Sequence, residues 1–536
     1  MTGPPDGDRD ELATVTFDRD DGSVVVIVGS GAGGGTLACE LTAKGIDVVV
    51  IEAGPRFAEA DFENDEFAMH AKLTWHDKCA ATGSSLVAEN FPEAPVWTCK
   101  GVGGTTLHWA GTSVRFQDYE LRTRTLYGEV AGANLADWPL RLDELEPYYD
   151  RAEEKMGVTG THGMPWPQAN NNYKVMAAGA RRIGYTQVDT NHMAINIVPR
   201  DGRNGCDQIG FCREGCKSGA KWSTMNAELP KAEATGRCEI RSSCMALRIE
   251  HDRAGRASGV LYADRHGHYH LQKARVVCVA GNAIQSPRLL LNSETSLFPD
   301  GLANGSGMVG KHYMRHTFAF VYGEFERPVN MHRGNPCAGL IRDECRHDPA
   351  RGFAGGYYTS LFAYGLPYFA SYFDYKRWGR AHTRWIEAYD HIACLVIMGE
   401  DLALATNRLT LHGSERDHHG LPIPSLNLDD HPNELAIKNY GIKKSRALYD
   451  VIGARRTYEA PGAWPSAHHM GTCRMSADPA HGVVDSWGRA HEVANLFVSD
   501  GSQFASAMAG NPTLTIVALA VRQAGHIAEA MGGGEI

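Results

Sequence analysis

Three glycines near the N-terminus have the spacing of a turn that binds a phosphate. Gly29, Gly31 and Gly34 follow a β-branched run, SVVVI, and lead into a helical stretch, TLACELTAKG. Glycines at a strand–helix junction let the backbone turn tightly and approach a pyrophosphate, which the helix N-terminus stabilises. A second strand, DVVVI, ends on Glu52, where a carboxylate can accept hydrogen bonds from ribose hydroxyls. The pattern predicts a dinucleotide site and leaves FAD and NAD open.

Four more segments occur in a fixed order along the chain. They read GVGGTTLHW at 101–109, VVCVAGNAIQSPRLLL at 276–291, HHMGTCRM at 468–475 and GNPT at 510–513. Together with the glycine turn, this set resembles the glucose-methanol-choline (GMC) oxidoreductase family. Within that family it is most similar to the bacterial branch with glucose, fructose and gluconate dehydrogenase catalytic subunits and sugar oxidases. The resemblance implies an FAD-dependent enzyme that removes a hydride from a carbon bearing a hydroxyl group.

The resemblance also implies a catalytic pair near the C-terminus. In the family, the histidine three residues before a Gly-Thr pair faces flavin N5, and a His or Asn of the Gly-Asn-Pro segment lies beside it. Here these positions are His468 and Asn511, and Asp500 is expected near the flavin phosphates or ribityl chain. A histidine can take the hydroxyl proton, whereas Asn511 would hold the same oxygen in position. His469 is the alternative base, and Asn511 could also cap the following helix.

The segment with Gly103, Gly104, Thr105 and His108 resembles the loop that packs against the flavin ring in this family. Glycines there allow close approach of the backbone to a flat cofactor. In pyranose oxidases of the family, a histidine at this spacing carries the flavin covalently. Many relatives with the same segment bind flavin non-covalently, so both modes stay open for His108.

Three cysteines form a C-x5-C-x3-C pattern, namely Cys206, Cys212 and Cys216. The spacing resembles the loop of bacterial glucose and fructose dehydrogenase subunits, where three cysteines hold a [3Fe–4S] cluster, and thiolates are suitable ligands for such clusters. The segment is also similar to cluster-free relatives, in which the cysteines are structural. Ligands of a cluster and a structural thiol or disulfide loop are therefore both kept as interpretations.

These motifs predict an α/β protein, α+β overall, with two discontinuous domains. A Rossmann-like FAD-binding domain would be combined with a substrate-binding domain built on a mainly antiparallel sheet. The predicted segments are a disordered lead-in at 1–19, the FAD-binding domain at 20–115, 206–310 and 466–536, and the substrate-binding domain at 116–205 and 311–465.

The second domain is predicted from three β-rich runs. They cover residues 316–325, 391–398 and 407–411, and they are consistent with a sheet above the flavin. Clustered aromatic residues from Tyr357 to Trp378 either line a substrate entrance or pack in the second core.

The charge balance favours a small-molecule substrate. The 536-residue chain has a formal charge of -10, which gives no electrostatic reason to bind nucleic acid or an anionic membrane surface. The acidic N-terminus lacks the regions of a secretory signal, and no apolar run has the length of a membrane span. We therefore expect no transmembrane segment and a cytoplasmic protein. Relatives that cross a membrane with a small, signal-bearing partner subunit leave the periplasm open.

Two classes of function remain at this stage. The first is an alcohol-oxidising flavoenzyme for a sugar or polyol-like substrate, either a dehydrogenase or an oxygen-using oxidase. The second is an FAD-binding lyase of the hydroxynitrile lyase type, which shares this fold without net redox chemistry. The resemblance to dehydrogenase subunits favours an acceptor other than oxygen. The sequence does not identify that acceptor, the alcohol or the oligomeric state.

Overall fold

The computed structural model describes residues 15–74, 77–371, 378–460 and 464–536. These residues form four β-sheets and a set of α-helices. The strands are β1 (Val25–Val28), β2 (Val48–Ile51), β3 (Ala80–Thr82), β4 (Val188–Asp189), β5 (Cys238–Arg241), β6 (Met245–His251), β7 (Ala257–Ala263), β8 (Tyr269–Lys273), β9 (Val276–Val279), β10 (His316–Glu324), β11 (Leu340–Ile341), β12 (Tyr357–Leu361), β13 (Ile392–Glu400), β14 (Arg408–Arg416), β15 (Pro422–Asn427), β16 (Arg456–Ala460) and β17 (Leu496–Val498). The helices are α1 (Ala32–Thr42), α2 (Glu66–Leu73), α3 (Leu86–Asn90), α4 (Thr123–Tyr127), α5 (Leu142–Met156), α6 (Asn171–Arg182), α7 (Glu228–Ala234), α8 (Asn282–Asn292), α9 (Leu366–Ser371), α10 (Gly379–Glu387), α11 (Pro432–Asp450) and α12 (Thr513–Gly532).

The first sheet is parallel and has the strand order β17-β9-β1-β2-β5. Its three central strands read VVCV, VVIV and VVVI, and all their residues are buried. Such runs suit a parallel sheet because helices and loops cover both of its faces. Helix α1 follows β1 directly and packs against α7 and α12. This arrangement confirms the predicted Rossmann-like fold.

The second sheet is antiparallel, with the order β16-β10-β13-β12-β11-β4. Its central strands β10 and β13 pair along nine residues each, from His316 opposite Glu400 to Glu324 opposite Ile392. Every residue of β13 is buried, and helix α11 packs against both strands. The mainly antiparallel sheet expected for the second domain is confirmed.

A smaller sheet connects segments that the sequence assigned to different domains. Strand β15 pairs with β14 in antiparallel and with β3 in parallel orientation. Strand β3 lies in the predicted 20–115 segment, whereas β14 and β15 lie in the predicted 311–465 segment. The proposed domain limits stay a prediction.

Part of the predicted lead-in is held by the first domain. Residues 1–14 lie outside the described residues. The backbone amide of Phe17 donates to the Glu239 carboxylate at 2.8 Å, and its carbonyl accepts from the Arg241 guanidinium at 3.0 Å. Phe17 also packs against the main hydrophobic core.

Candidate active site

A cavity of about 310 Å³ lies between the two large sheets. On one side it is lined by the last residues of β1, β2 and β9, which are Val28, Ile51 and Val279. On the other side it meets β10 and β13 through side chains such as Phe318 and Met398. Ligands of open α/β sheets bind outside the carboxyl ends of the parallel strands, and this cavity has that position.

The glycine turn after β1 is packed too closely for other residues. Gly29 has a φ of 98°, and a Cβ there would lie 2.5 Å from the Ala280 carbonyl oxygen. A Cβ on Gly34 would lie 2.0 Å from the Gly29 oxygen, and one on Gly33 would lie 1.5 Å from the Ser499 oxygen. The sequence pattern did not single out Gly33, because its requirement comes from Ser499, which follows β17 far along the chain. Gly29 and Gly31 line the cavity, and Gly34 lies behind its wall.

Glu52 directly follows β2, which ends one residue earlier than predicted, at Ile51, and it lines the cavity. Its carboxylate accepts hydrogen bonds from the backbone amide and hydroxyl of Ser30, at 3.0 and 2.6 Å, and from the Gly54 amide at 2.9 Å. Burial raises the pKa of Glu52 above its ordinary value. The carboxylate therefore fixes the glycine turn at the cavity wall.

His108 lies in the second glycine segment and is almost fully buried. Neither of its ring nitrogens has a hydrogen-bond partner within the described part of the chain, although the ring stacks on Trp97 at 4.7 Å. Burial lowers the pKa of His108 to about 3, so the ring is neutral. Gly104, Thr105 and His108 line the cavity, whereas Gly103 lies behind it. Two unpaired nitrogens at a cavity wall fit a site that is completed by a bound group.

The residues on both sides of His108 are held by one buried cation. The Lys221 ammonium donates to the Leu107 carbonyl at 2.7 Å and to the Trp109 carbonyl at 2.8 Å. Burial lowers the pKa of Lys221 to about 8. Lys221 therefore fixes the backbone that presents His108. The sequence pattern gave no signal for it, because its partners lie more than one hundred residues earlier in the chain.

His468 and Asn511 meet at the cavity. The Asn511 side-chain amide lies 3.2 Å from His468 Nε2, and both residues line the cavity. Asn511 Oδ1 is buried and has no hydrogen-bond partner among the residues that the structure describes. Helix α12 begins two residues later, and its first turn receives no side-chain cap from Asn511. The structure thus brings the two predicted catalytic residues together.

His469 points to a different set of partners. Its Nδ1 lies 2.8 Å from the Tyr313 hydroxyl, and its Nε2 lies 3.4 Å from the Trp97 carbonyl oxygen. Burial lowers the pKa of His469 to about 4. Both ring nitrogens of His469 thus have protein partners, and neither of them is Asn511.

Asp500 follows β17 and lines the cavity. Its carboxylate accepts a hydrogen bond from the Ser286 hydroxyl and one from the Ser502 amide at 2.8 Å. Burial raises the pKa of Asp500. This position, beside the ends of β1 and β9, is consistent with the predicted contact to the cofactor.

The three clustered cysteines lie outside the cavity wall. All three are free thiols, and they share one small apolar cluster with residues such as Met193 and Ala220. Backbone amides donate to Cys206 Sγ at 3.4 Å and to Cys216 Sγ at 3.3 Å. Among the described residues, these three cysteines do not form a group whose ligand atoms all lie within 4.8 Å of one another.

One group of metal-type ligands does meet that distance in the described chain. It consists of Asp150, Glu153 and His162. The Arg115 guanidinium already pairs with both carboxylates, at 2.6 Å for Asp150 and 2.5 Å for Glu153. This group is explained as an ion-pair network without a metal.

The aromatic residues between Tyr357 and Trp378 were expected either to line a substrate entrance or to pack in the second core, and the structure shows residues of both kinds. Tyr357 and Tyr358 are buried in the second hydrophobic core. Phe362 and Tyr368 belong to that core region and also line the cavity. Residues 372–377 lie outside the described residues.

Comparison with known proteins identifies the family. Models of the N-terminal and C-terminal parts of GMC oxidoreductases match residues 26–317 and 403–520. The chain is 32% identical over 544 residues to a 2-methyl-1,2-propanediol dehydrogenase of Mycolicibacterium austroafricanum, with 96% of each protein covered. It is 27% identical to the fructose dehydrogenase large subunit of Gluconobacter japonicus, over 94% of this chain and 97% of that protein.

Solved structures agree on the fold. The crystal structure of a pyridoxine 4-oxidase from Mesorbium loti superposes with a TM-score of 0.67 at 18% sequence identity, covering 94% of this chain and 98% of that chain. The chain belongs to the GMC oxidoreductase family. It is therefore an FAD-dependent oxidoreductase that acts on CH–OH groups of alcohols or sugars. Among the described residues, no helix combines the length and apolar composition needed to cross a membrane.

Proposed function

We propose that this chain oxidises a small alcohol, polyol or sugar with His468 as the base and Asn511 as its partner. The observation that carries the proposal is the contact of 3.2 Å between the Asn511 amide and His468 Nε2 at the cavity wall. A hydroxyl group that approaches both nitrogens from the cavity would accept a hydrogen bond from Asn511 and donate one to His468. The two side chains would then act on one oxygen atom.

The proton chemistry follows from the state of His468. Burial and the neighbouring His316 lower its pKa well below the ordinary value, so the ring is neutral and has a lone pair. His468 Nε2 can take the hydroxyl proton while negative charge develops on the oxygen. Asn511 would stabilise that charge by donating to it. When bound, FAD supplies the acceptor for the hydride that leaves the carbon.

The residues around the cavity fit FAD. Gly29, Gly31 and Gly104 give the backbone room to approach a flat or phosphorylated group, and Glu52 lies where a ribose would be bound. The unpaired nitrogens of His108 are consistent with a partner that the cofactor provides. We propose that these residues, with Gly34, Gly103, Thr105 and Asp500, hold FAD.

The mode of attachment can be tested at His108. Acid precipitation of the flavin-loaded protein would leave the yellow chromophore with the pellet if the bond is covalent. In that case His108→Ala would release FAD into the supernatant. Chromophore in the supernatant of the wild-type protein would show non-covalent binding.

The substrate side of the cavity favours an alcohol of modest size with apolar parts. Its walls include Phe318, Phe320 and Met398, and Tyr368 adds an aromatic ring. The relatives in the comparison act on substrates named as a branched diol and fructose. We propose a small polyol or sugar and an acceptor other than oxygen.

The experiment is anaerobic mixing of the purified, FAD-loaded protein with a panel of alcohols. The panel contains 2-methyl-1,2-propanediol, D-fructose, D-gluconate and paromamine, and bleaching of the flavin absorbance is recorded. Bleaching by at least one member, followed by faster turnover with an artificial dye than with oxygen, supports the proposal. Stoichiometric peroxide at a comparable rate would instead identify an oxidase. A flavin that no alcohol bleaches, with a cyanohydrin cleaved, would identify a lyase.

The [3Fe–4S] hypothesis concerns a separate part of the chain. It rests on the spacing of Cys206, Cys212 and Cys216, and the amide donors on two of the sulfur atoms would suit thiolate ligands. Burial raises the pKa of Cys206 and of Cys212, which without a metal keeps both thiols neutral. Iron and acid-labile sulfide in anaerobically purified protein test it. Their absence at full FAD occupancy would leave the thiols as structural residues.

A small partner subunit is a further proposal. It is supported only by the name of the fructose dehydrogenase large subunit, which describes that protein as part of an assembly. Co-expression with the neighbouring reading frames, followed by a mass measurement of the purified complex, would test it. The cytoplasmic location stays a prediction.

A further inference from the structure

His316 contacts the proposed base from the side opposite the cavity. It is the first residue of β10 and is 1% exposed. Its Nδ1 lies 2.7 Å from Nδ1 of His468, and the two rings meet edge to face at 82°. At this distance the two nitrogens share a hydrogen bond, so one of them carries the proton.

The direction of that bond follows from the other nitrogen of His316. Nε2 lies 2.7 Å from the carbonyl oxygen of Met508, which can only accept a hydrogen bond. Nε2 must therefore carry a proton. Burial lowers the pKa of His316 to about 4, so the ring has a single proton and its Nδ1 is an acceptor.

This assignment determines the tautomer of His468. Because Nδ1 of His316 accepts, Nδ1 of His468 must donate. The neutral His468 ring then has its lone pair at Nε2, which faces Asn511. The 3.2 Å contact agrees with this, since the amide nitrogen of Asn511 can donate to a lone pair.

We propose that His316 is a positioning residue that holds His468 in the tautomer with a proton on Nδ1 and a lone pair on Nε2. The inference deepens the proposed function and rests on it. In the reaction the substrate O–H bond breaks and an N–H bond forms at His468 Nε2. The hydride leaves the carbon with its electron pair for the acceptor of the established activity. His468 becomes an imidazolium, whose Nδ1–H bond to His316 stabilises the new charge.

The carbonyl that orients His316 is itself fixed. Met508 has a φ of 47°, which is uncommon for a residue with a side chain. The amide of Ala509 belongs to the same peptide bond and donates to the Glu120 carboxylate at 3.2 Å. A trans peptide places its N–H and C=O on opposite sides, so this bond turns the Met508 oxygen towards His316. Glu120 therefore orients the peptide between Met508 and Ala509, this peptide orients His316, and His316 orients His468.

Two substitutions separate this role from simple packing. His316→Phe keeps a ring in the strand but removes both nitrogens. His316→Gln fills the space less well, yet its side chain can accept from His468 and donate to Met508. If His316 sets the tautomer, His316→Phe should slow anaerobic flavin bleaching by about 10²-fold or more. This factor is the lower end of what a general base contributes to a rate. Gln should stay within about 10-fold of wild type.

The control is His332→Phe. His332 stacks on Tyr389 and does not line the cavity, so this variant should bleach at the wild-type rate. FAD content is measured for every variant before the kinetics with 2-methyl-1,2-propanediol or another alcohol that bleaches the wild type. If flavin bleaching is as fast in His316→Phe as in His316→Gln, or faster, the proposal is overturned. Packing alone would then explain the role of His316.

A second measurement needs no substrate. Protein labelled with ¹⁵N-histidine is compared with labelled His468→Asn, and the signals that disappear belong to His468. The wild type should show a protonated Nδ1 and an unprotonated Nε2, and His316→Phe should move proton density to Nε2. A wild-type His468 protonated at Nε2 would refute the tautomer. If no alcohol bleaches the flavin, the proposed function fails, while this result still decides the role of His316.

Discussion

Glu120 and His316 bind opposite ends of one peptide bond, between Met508 and Ala509. The Glu120 carboxylate accepts from the Ala509 amide at 3.2 Å, and His316 Nε2 donates to the Met508 carbonyl at 2.7 Å. Asn511 follows two residues later and contacts His468. Glu120, a buried acid with no part in the proposed chemistry, is thus connected through this peptide to both His468 and Asn511.

Glu120→Ala should therefore slow flavin reduction without removing any group that touches the substrate. Losing the acceptor frees the peptide to turn, which weakens the hold on His316 and shifts Asn511. We expect a fall of about 10-fold, since misplaced catalytic groups lose rate steeply. Anaerobic stopped-flow bleaching measures it, with the exposed Glu129→Ala as the matched control. Equal rates for the two variants would show that the loop keeps its shape without Glu120.

The proposed catalytic pair predicts a graded set of rates. His468→Ala removes the base and should slow bleaching by roughly 10²–10⁴-fold. Asn511→Ala removes a positioning donor and should cost on the order of 10²–10³-fold. Because both act on one oxygen, the double variant should be less impaired than the product of the single effects. His469→Ala should be milder than either.

The measurement is the bleaching rate at saturating alcohol after FAD content has been determined. If His469→Ala abolished reduction while His468→Ala left it near wild type, the base would be His469. Strict multiplication of the two single effects would mean that His468 and Asn511 act on different atoms.

The two glycine segments are in backbone contact, and this predicts a defect in cofactor binding. Gly104 has a φ of 52°, and a Cβ there would lie 2.8 Å from the Cα of Gly31. Gly104→Ala should push the segment with His108 away from the turn after β1. We expect purified protein with less than about a tenth of the wild-type FAD, equivalent to a loss of at least roughly 1.4 kcal/mol in binding.

The control for that prediction is Gly413→Ala. No atom lies within 4 Å of a Cβ built at Gly413, and its backbone does not require a glycine. Flavin absorbance relative to protein absorbance gives the occupancy, and circular dichroism checks the fold. Full occupancy in Gly104→Ala would show that the contact with Gly31 can relax.

A buried carboxyl in the second domain predicts how stability depends on pH. Glu400 accepts from the Tyr127 hydroxyl and the Gly356 amide, and burial raises its pKa from 4.5 to about 7. The folded protein therefore binds a proton that the unfolded chain releases at lower pH. The resulting stability is fully present below about pH 4.5 and is lost as the pH rises through about 7.

Glu400→Gln removes this titration while keeping the shape and an acceptor oxygen. Between pH 5 and pH 8 the wild type should lose on the order of 3 kcal/mol more stability than the variant. Thermal unfolding midpoints at the two pH values give the comparison. A variant whose midpoint falls as steeply as that of the wild type would assign the pH dependence to other groups, such as Glu120, whose pKa burial raises to about 8.

The sequence alone determined the features that depend on near neighbours. A β-branched run followed by glycines encodes the turn at Gly29, because a local backbone conformation and the packing of one helix decide it. The β-rich runs at 316–325 and 391–398 predicted strands β10 and β13. The spacing before Gly471 and Thr472 gave His468, because the family keeps that motif in one continuous segment.

Tertiary structure decided the contacts between distant residues. His316 meets His468 across 152 positions, and Glu120 meets Ala509 across 389. No local pattern marks such pairs, because an isolated histidine at the start of a strand has the same sequence signature whether its ring meets solvent, core or another histidine. Only the packing of the antiparallel sheet against the loop before α12 brings the Met508 carbonyl to His316, and that carbonyl fixes which nitrogen of His468 can act as a base.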